Sequence, residues 1–218
     1  MKSIYIAGFV LVVLLASVGV VSANLVTNGG FEMPTASPPF TTIFTGNGLT
    51  GWTIASGSID LINGYWQPHS GDQSIDLSGD SPGMISQNIS TIPGNSYDVS
   101  FWMAGNPDKQ EVKTLGVYWN GAELGTTYTF DSTGHTYSSM GWKEVTIPGL
   151  KATGTSTEIG FLDIAPINYP TDPYGVALDD ISVVPSQSTP APEFPGIAAP
   201  VISLVGLLGA VFFVRRMK

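Results

Sequence analysis

Tyr97-Asp98-Val99-Ser100-Phe101-Trp102-Met103 decides the class of this chain. Tyr97, Val99, Phe101 and Met103 fall on one side of a period of two, and Asp98, Ser100 and Trp102 on the other. That is the pattern of a β-strand with one face against a core. The Tyr97/Phe101 face is expected to meet a second layer, which leaves Trp102 on the opposite face. Outward from this strand the grammar stays the same: short runs of β-branched and aromatic residues alternate with clusters of Gly, Pro, Asn, Asp and Ser. Strands are read at Leu25–Phe31, Gly51–Ile54, Ser58–Ile62, Gln73–Leu77, Met84–Ile89, Thr114–Trp119, Glu123–Phe130, Gly141–Ile147, Thr157–Ile164 and Val176–Val184. Asn120-Gly121 is a two-residue hairpin signal between two of them. Helical periodicity is absent, and no internal repeat is present. Many short antiparallel strands at this spacing predict an all-β jelly-roll sandwich.

The ends read differently. Met1-Lys2 precedes an apolar run from Ile4 to Val21, and Val21-Ser22-Ala23 offers small residues for a cut after Ala23, the layout of a secretory signal peptide over residues 1–23. Residues 185–196 form a Pro/Ser/Thr-rich linker. Residues 197–218 form an apolar segment, Ile197 to Val214, closed by Arg215-Arg216-Met217-Lys218. Eighteen apolar residues at ~1.5 Å rise just span a ~30 Å hydrocarbon layer, and the basic cluster marks the cytoplasmic side. The expected location is therefore the outer face of the cell membrane, with a single domain at residues 24–184.

Charge narrows the function. Of 8 Lys and Arg, Lys2, Arg215, Arg216 and Lys218 lie in the end segments, and of 17 acids only Glu193 does. The remainder keeps four Lys, no Arg and sixteen acids, a net −12. Such a domain does not bind phosphate backbones, so nucleic acid is excluded as a partner. It suits a salty medium, divalent cations or neutral ligands. There is no Cys, so no disulfide supports it outside the cell.

Five segments occur in order: Asn28-Gly29-Gly30-Phe31-Glu32, Gly51-Trp52, Asp60-Leu61-Ile62, His69-Ser70-Gly71-Asp72-Gln73-Ser74-Ile75-Asp76-Leu77, and Ala177-Leu178-Asp179-Asp180-Ile181-Ser182-Val183. Together they resemble the choice-of-anchor C proteins and the related domain-of-unknown-function 642 family of cell-wall proteins. The resemblance implies a galactose-binding-like jelly-roll sandwich, a fold that also serves as carbohydrate-binding modules. The tail Pro192-Glu193-Phe194-Pro195, followed by an apolar segment and Arg-Arg, resembles the PEF-CTERM sorting signal of archaeal surface proteins. It implies processing by an archaeosortase-type transpeptidase that exchanges the apolar tail for another anchor, and the N-terminal segment implies signal peptidase as the other processing partner.

The candidate sites follow. The resemblance implies a structural calcium ion tying the first strand to the last through Glu32, Asp180 and the backbone near Gly71 and Asp72. A physical argument points the same way. Glu32 follows an apolar strand and Asp180 lies inside one, so burial of either needs a compensating cation or donor. The alternative is that Asp179 and Asp180 face solvent or accept backbone N–H bonds. For a sugar ligand, rings beside amides are the natural candidates: Asn63, Tyr65, Trp66 and Gln67, then Trp102 and Trp119. Trp66 is the foremost of these, because it lies in a loop, and its exposure is the discriminating observation. An exposed Trp66 favours ligand binding; a buried one favours a purely structural envelope protein. Asn88-Ile89-Ser90 is a glycosylation sequon. No nucleophile elbow, H-E-x-x-H or P-loop occurs, and no carboxylate pair is singled out, so no catalytic residue is assigned; a carbohydrate-active hydrolase is the remote alternative. The expected protein is a non-catalytic, tethered surface module that binds glycan or envelope polymer.

Overall fold

The computed structural model describes residues 23–164 and 171–187. The signal segment, the Pro192–Pro195 motif and the apolar tail lie outside the described residues. The chain divides into two units, Met1–Pro185 and Ser186–Lys218, and the fold is that of the first.

Among the described residues every regular element is a strand: β1 Phe40–Leu49, β2 Trp52–Ile62, β3 Ser74–Asp76, β4 Met84–Ser90, β5 Ser96–Gly105, β6 Val112–Trp119, β7 Ala122–Asp131, β8 Lys143–Lys151, β9 Ser156–Asp163 and β10 Val176–Pro185. All pair antiparallel in one curled sheet of order β7-β6-β9-β4-β2-β3-β10-β5-β8, with β1 also on β2. The long β2 is the corner. Its first half pairs with β4 and its second half with β3, across a register shift after Ile54. The two wings that leave β2 fold over each other, the arrangement of a jelly-roll sandwich.

The core lies between the wings. On β5, Tyr97, Val99, Phe101 and Met103 are buried and Trp102 is half-buried, as the alternation requires. Phe101 packs edge-on against Phe161 of β9 at 5.2 Å and Tyr128 of β7 at 6.0 Å. The β6–β7 hairpin turns at Asn120 and Gly121 with φ of 55° and 76°. These left-handed values match a type I′ turn, which suits Asn-Gly.

Three strand readings need correction. Leu25–Phe31 is not a strand. Asn28 and Phe31 take φ of 55° and 58°, which breaks any ladder. The segment is instead pinned to β10 one bond at a time: Asn24 Oδ1 accepts from Val183 N–H at 2.9 Å, and Ile181 N–H donates to Gly29 O at 2.9 Å. Gly29 is required there, since a Cβ would fall 2.0 Å from Ile181 O. The readings Gly51–Ile54 and Ser58–Ile62 are one strand, β2, carried through a register shift. The third difference is β1, a ten-residue strand absent from the sequence reading. Its Thr/Phe/Ile content favours a strand. Most of it is exposed, so no buried alternation marks it.

Candidate functional site

Two constellations of aromatic and acidic side chains stand out, and both are built from strand ends and the loops beside them.

The first is a cleft of about 250 Å³. Its floor is a row of side chains across three adjacent strands: Thr42 on β1 is the register partner of Asp60 on β2, which is the partner of Asp76 on β3. Thr42 Oγ1 donates to Asp60 Oδ1 at 2.6 Å. Burial raises the Asp60 pKa above the usual carboxylate range; the Thr42 bond opposes this and nearby Asp80 adds to it. Asp76 is fully buried and organises the wall. It accepts Ser78 N–H at 2.9 Å, Gly175 N–H at 3.1 Å and the Asn106 amide at 2.8 Å. Asn106 Oδ1 in turn accepts Asp108 N–H at 2.9 Å. Asp108 then accepts the Tyr65 hydroxyl at 2.7 Å through one oxygen and the Tyr137 hydroxyl through the other. The hydrogen bond to Asp108, helped by burial, pushes the Tyr65 phenol well up. A continuous set of bonds therefore runs from the core carboxylate Asp76 to the ring of Tyr65.

The rim is aromatic. Phe40 is 39% and Tyr174 38% exposed. Phe40 meets Tyr65 edge-on at 5.5 Å, and Tyr137 tilts against it at 5.2 Å. Asp80 and Asn106 complete the lining. Open ring faces beside convergent carboxylates and an amide can grip a ligand that has flat C–H faces and hydroxyls.

The second constellation sits on the outer face of β5 and β10. A bulge in β10, with Asp180 at φ 49° and a register shift between Asp179 and Ser182, sends two consecutive carboxylates in different directions. Asp179 is completely buried. Its Oδ2 accepts N–H of His69 at 2.9 Å and Ser70 at 3.1 Å, and its Oδ1 accepts N–H of Asp180 at 2.8 Å. Burial raises its pKa to about 7, with the Asp180 charge adding to the rise and the N–H bonds opposing it. Asp180 Oδ2 lies 2.6 Å from His69 Nδ1, and its Oδ1 accepts the Ser70 hydroxyl at 2.8 Å. The His69 ring stacks flat on Trp102, with centroids 3.7 Å apart, and Trp142 meets it edge-on at 6.4 Å.

The structure distributes the expected site residues over three places. Tyr65 and Trp66 line the cleft. Trp66, however, is only 3% exposed, and its indole N–H donates to Ser74 Oγ at 2.9 Å. It is a floor residue rather than an exposed platform, because the loop after β2 folds its larger ring inward and leaves Tyr65 at the surface. By the criterion set from sequence, that burial favours the structural reading. Asn63 turns away from the cleft; its amide donates to Ala36 O at 2.7 Å. Gln67 is held by its backbone, which accepts the Trp142 indole N–H at 3.0 Å. Trp102 is covered by His69, and Trp119 is a core residue that donates to Lys151 O at 2.8 Å. The Asn88 side chain is exposed on β4.

The residues expected to hold calcium meet at the 69–73 loop. Glu32 is exposed rather than buried, and its Oε1 accepts N–H of Asp72 at 3.0 Å and Gln73 at 3.2 Å. The loop therefore offers N–H donors to one oxygen of Glu32. Gly71 is where that carboxylate passes, since a Cβ would lie 2.1 Å from Glu32 Oε1. Asp180 is occupied by His69 and Ser70. Among the described residues, no three His, Cys, Asp or Glu side chains group to hold a metal.

Sequence reasoning missed Phe40, Asp60, Asp80, Asn106, Asp108 and Tyr174 as cleft residues; for Asp179 the alternative reading, that it accepts backbone N–H bonds, describes what it does with the 69–70 loop. Asp60 was visible inside one of the five segments that carry the family resemblance, without a role. Asn106 and Asp108 had only a turn-like Gly-Asn-Pro-Asp context.

The chain is similar to several known proteins. A family model described as "Protein of unknown function (DUF642)" matches residues 24–184. Halomucin of Haloquadratum walsbyi is 32% identical over 196 residues, covering 85% of this chain, and the chain spans 2% of that relative's length. An arabinose-bound α-L-arabinofuranosidase, MgGH51, matches with TM-score 0.50 and 15% identity over 78% of this chain and 28% of that one, a likeness of fold alone. TmCBM61, solved in complex with β-1,4-galactotriose, matches with TM-score 0.47 and 20% identity over 76% of this chain and all of the other.

Proposed function

The chain belongs to the DUF642 family, and we propose that its domain is a non-catalytic glycan-binding module displayed outside the cell. The observation that carries the proposal is the cleft: Phe40, Tyr65 and Tyr174 present ring surface around Asp60, Asp80, Asn106 and Asp108. Binding sites for small ligands are concave and combine apolar surface with placed polar groups; this cleft does so with an unusually large polar share, four of its lining residues being Asp. Its rings are held before a ligand arrives, since Asp108 fixes Tyr65 and Tyr137 together. Preorganised groups lose less freedom on binding.

The export and tethering parts rest on the signal-like residues 1–23 and on the PEF motif with its apolar tail. In this reading the signal is cut after Ala23, and an archaeosortase-type enzyme replaces the tail with another anchor. Intact mass of the mature native protein tests it: loss of residues 197–218 agrees, and retention contradicts removal.

A second reading has one observation in its favour. Trp66 is buried, so the most prominent loop ring is spent on packing, as in a structural envelope protein whose acidic surfaces meet only like neighbours. Calorimetric titration with neutral galacto-, gluco- and manno-oligosaccharides separates the two. Heat of binding that Tyr65→Ala abolishes supports the cleft; silence across the panel supports the structural reading.

A further inference from the structure

We infer that the cleft selects neutral glycans and rejects those carrying carboxylate or sulfate groups. This rests on the glycan-binding reading above and names its ligand class. No Lys, Arg or His lines the cleft, while Asp60, Asp76, Asp80 and Asp108 do. The nearest cation in sequence, Lys109, does not line the cleft and is ion-paired to Asp172 and Glu111. The acids already oppose one another: burial first, and then the Asp80 charge, hold the Asp60 carboxyl above its ordinary range. A further negative group on the ligand meets this field inside a partly desolvated cleft, where charges a few ångströms apart interact several-fold more strongly than in bulk water. Several donors on the wall are already engaged by its acids. The Tyr65 and Tyr137 hydroxyls both donate to Asp108, and Asn106 donates to Asp76. A neutral sugar meets the opposite situation. Its hydroxyls donate to carboxylate oxygens, and its C–H faces lie on the rings.

The test uses the intact domain and matched polymers: galactan, glucomannan and β-glucan, each beside the same polymer oxidised at C6 to the uronate. Affinity is read at 0.1 M and 1 M NaCl, with and without Ca²⁺. We expect at least one neutral polymer to bind. Its oxidised form binds at least tenfold more weakly at 0.1 M salt, and the gap closes to a few-fold at 1 M, where the Debye length falls from about 10 Å to about 3 Å. Asp80→Asn narrows the gap at low salt. An oxidised polymer that binds as tightly as its neutral form, or that does so once Ca²⁺ is added, overturns the inference while leaving a glycan site in place. A gap indifferent to salt and to Asp80→Asn also overturns it, since size rather than charge would then be the cause. If no polymer binds at all, the glycan-binding reading fails and this inference fails with it.

Discussion

The cleft around Tyr65 and the cluster around His69 are made of the same materials and are put to opposite uses. Each brings aromatic rings against consecutive or paired carboxylates at the ends of central strands. In the His69 cluster the carboxylates are consumed: Asp179 takes three backbone N–H groups, and Asp180 takes a ring nitrogen and a hydroxyl. Its best ring face, that of Trp102, is covered by His69. In the cleft, the buried Asp76 is consumed in the same way, but it serves to hold Asn106 and Gly175 in place around an open space. The rings there keep accessible surface. Aromatic and acidic composition alone therefore does not identify a binding site; what matters is whether the rings are covered and whether an open space lies beside them.

The largest difference should appear in stability. Asp179→Ala leaves three part-buried N–H groups without their acceptor, at a cost of roughly 3–5 kcal/mol. For a domain of this size each kcal/mol lowers Tm by about 2–4 °C, so calorimetry should show a fall of roughly 10 °C. Asp108→Ala, on the rim of the cleft, should cost less than about 2 kcal/mol by the same measurement, because both phenols it accepts can turn to water. Equal losses would erase the distinction between a structural cluster and a binding cleft.

A smaller effect concerns pH. Asp179 and Asp163 are raised to about 7 and about 6 by burial, and Asp76 well above its usual value. A carboxyl whose folded pKa exceeds its unfolded value of about 3.9 binds more protons when folded, so stability falls as pH rises through the window between the two. For Asp179 that window runs from about 4 to about 7. The domain should melt several degrees higher at pH 5.5 than at pH 8, and Asp179→Asn should flatten the slope. Relief of self-repulsion in a domain of net −12 acts in the same direction, so 1 M NaCl should raise Tm at pH 8 more than at pH 5.5. A slope of the opposite sign would contradict the assigned burial of these acids.

The smallest effect is on the clamp. Asp108→Asn keeps an acceptor for one phenol but not both. A loss of glycan affinity of only a few-fold is expected by titration, while Tyr65→Phe, which removes the hydroxyl and keeps the ring, should behave similarly. A total loss in either would mean that the hydroxyl network, not the ring, makes the main contact.

Much of the fold was legible because its signals are local. The alternation in Tyr97–Met103, the Asn120-Gly121 turn and the apolar run of β10 each specify a strand or turn by themselves. The N-terminal segment misled because Leu25 and Val26 look like strand residues, whereas Asn24 and the left-handed Asn28 and Phe31 replace the ladder with single bonds. Strand β1 went unread because its exposed face breaks the alternation that marks a half-buried strand. The site was less legible for a different reason. Thr42, Asp60, Asp76, Asn106, Asp108 and Tyr174 are spread over more than 130 residues and meet only through register and loop closure. Sequence could show that Tyr65 and Trp66 sit in one loop, but not which ring turns inward.

One titration tests the central claim most directly. A neutral oligosaccharide that binds the wild-type domain is titrated into Tyr65→Ala and Trp102→Ala, each first shown by its melting curve to be folded. The cleft account predicts at least a tenfold loss for Tyr65→Ala, since an open interfacial ring contributes more than about 1.4 kcal/mol, and an unchanged affinity for Trp102→Ala. Wild-type affinity in Tyr65→Ala with loss in Trp102→Ala would contradict it and move the site to the outer face of β5 and β10.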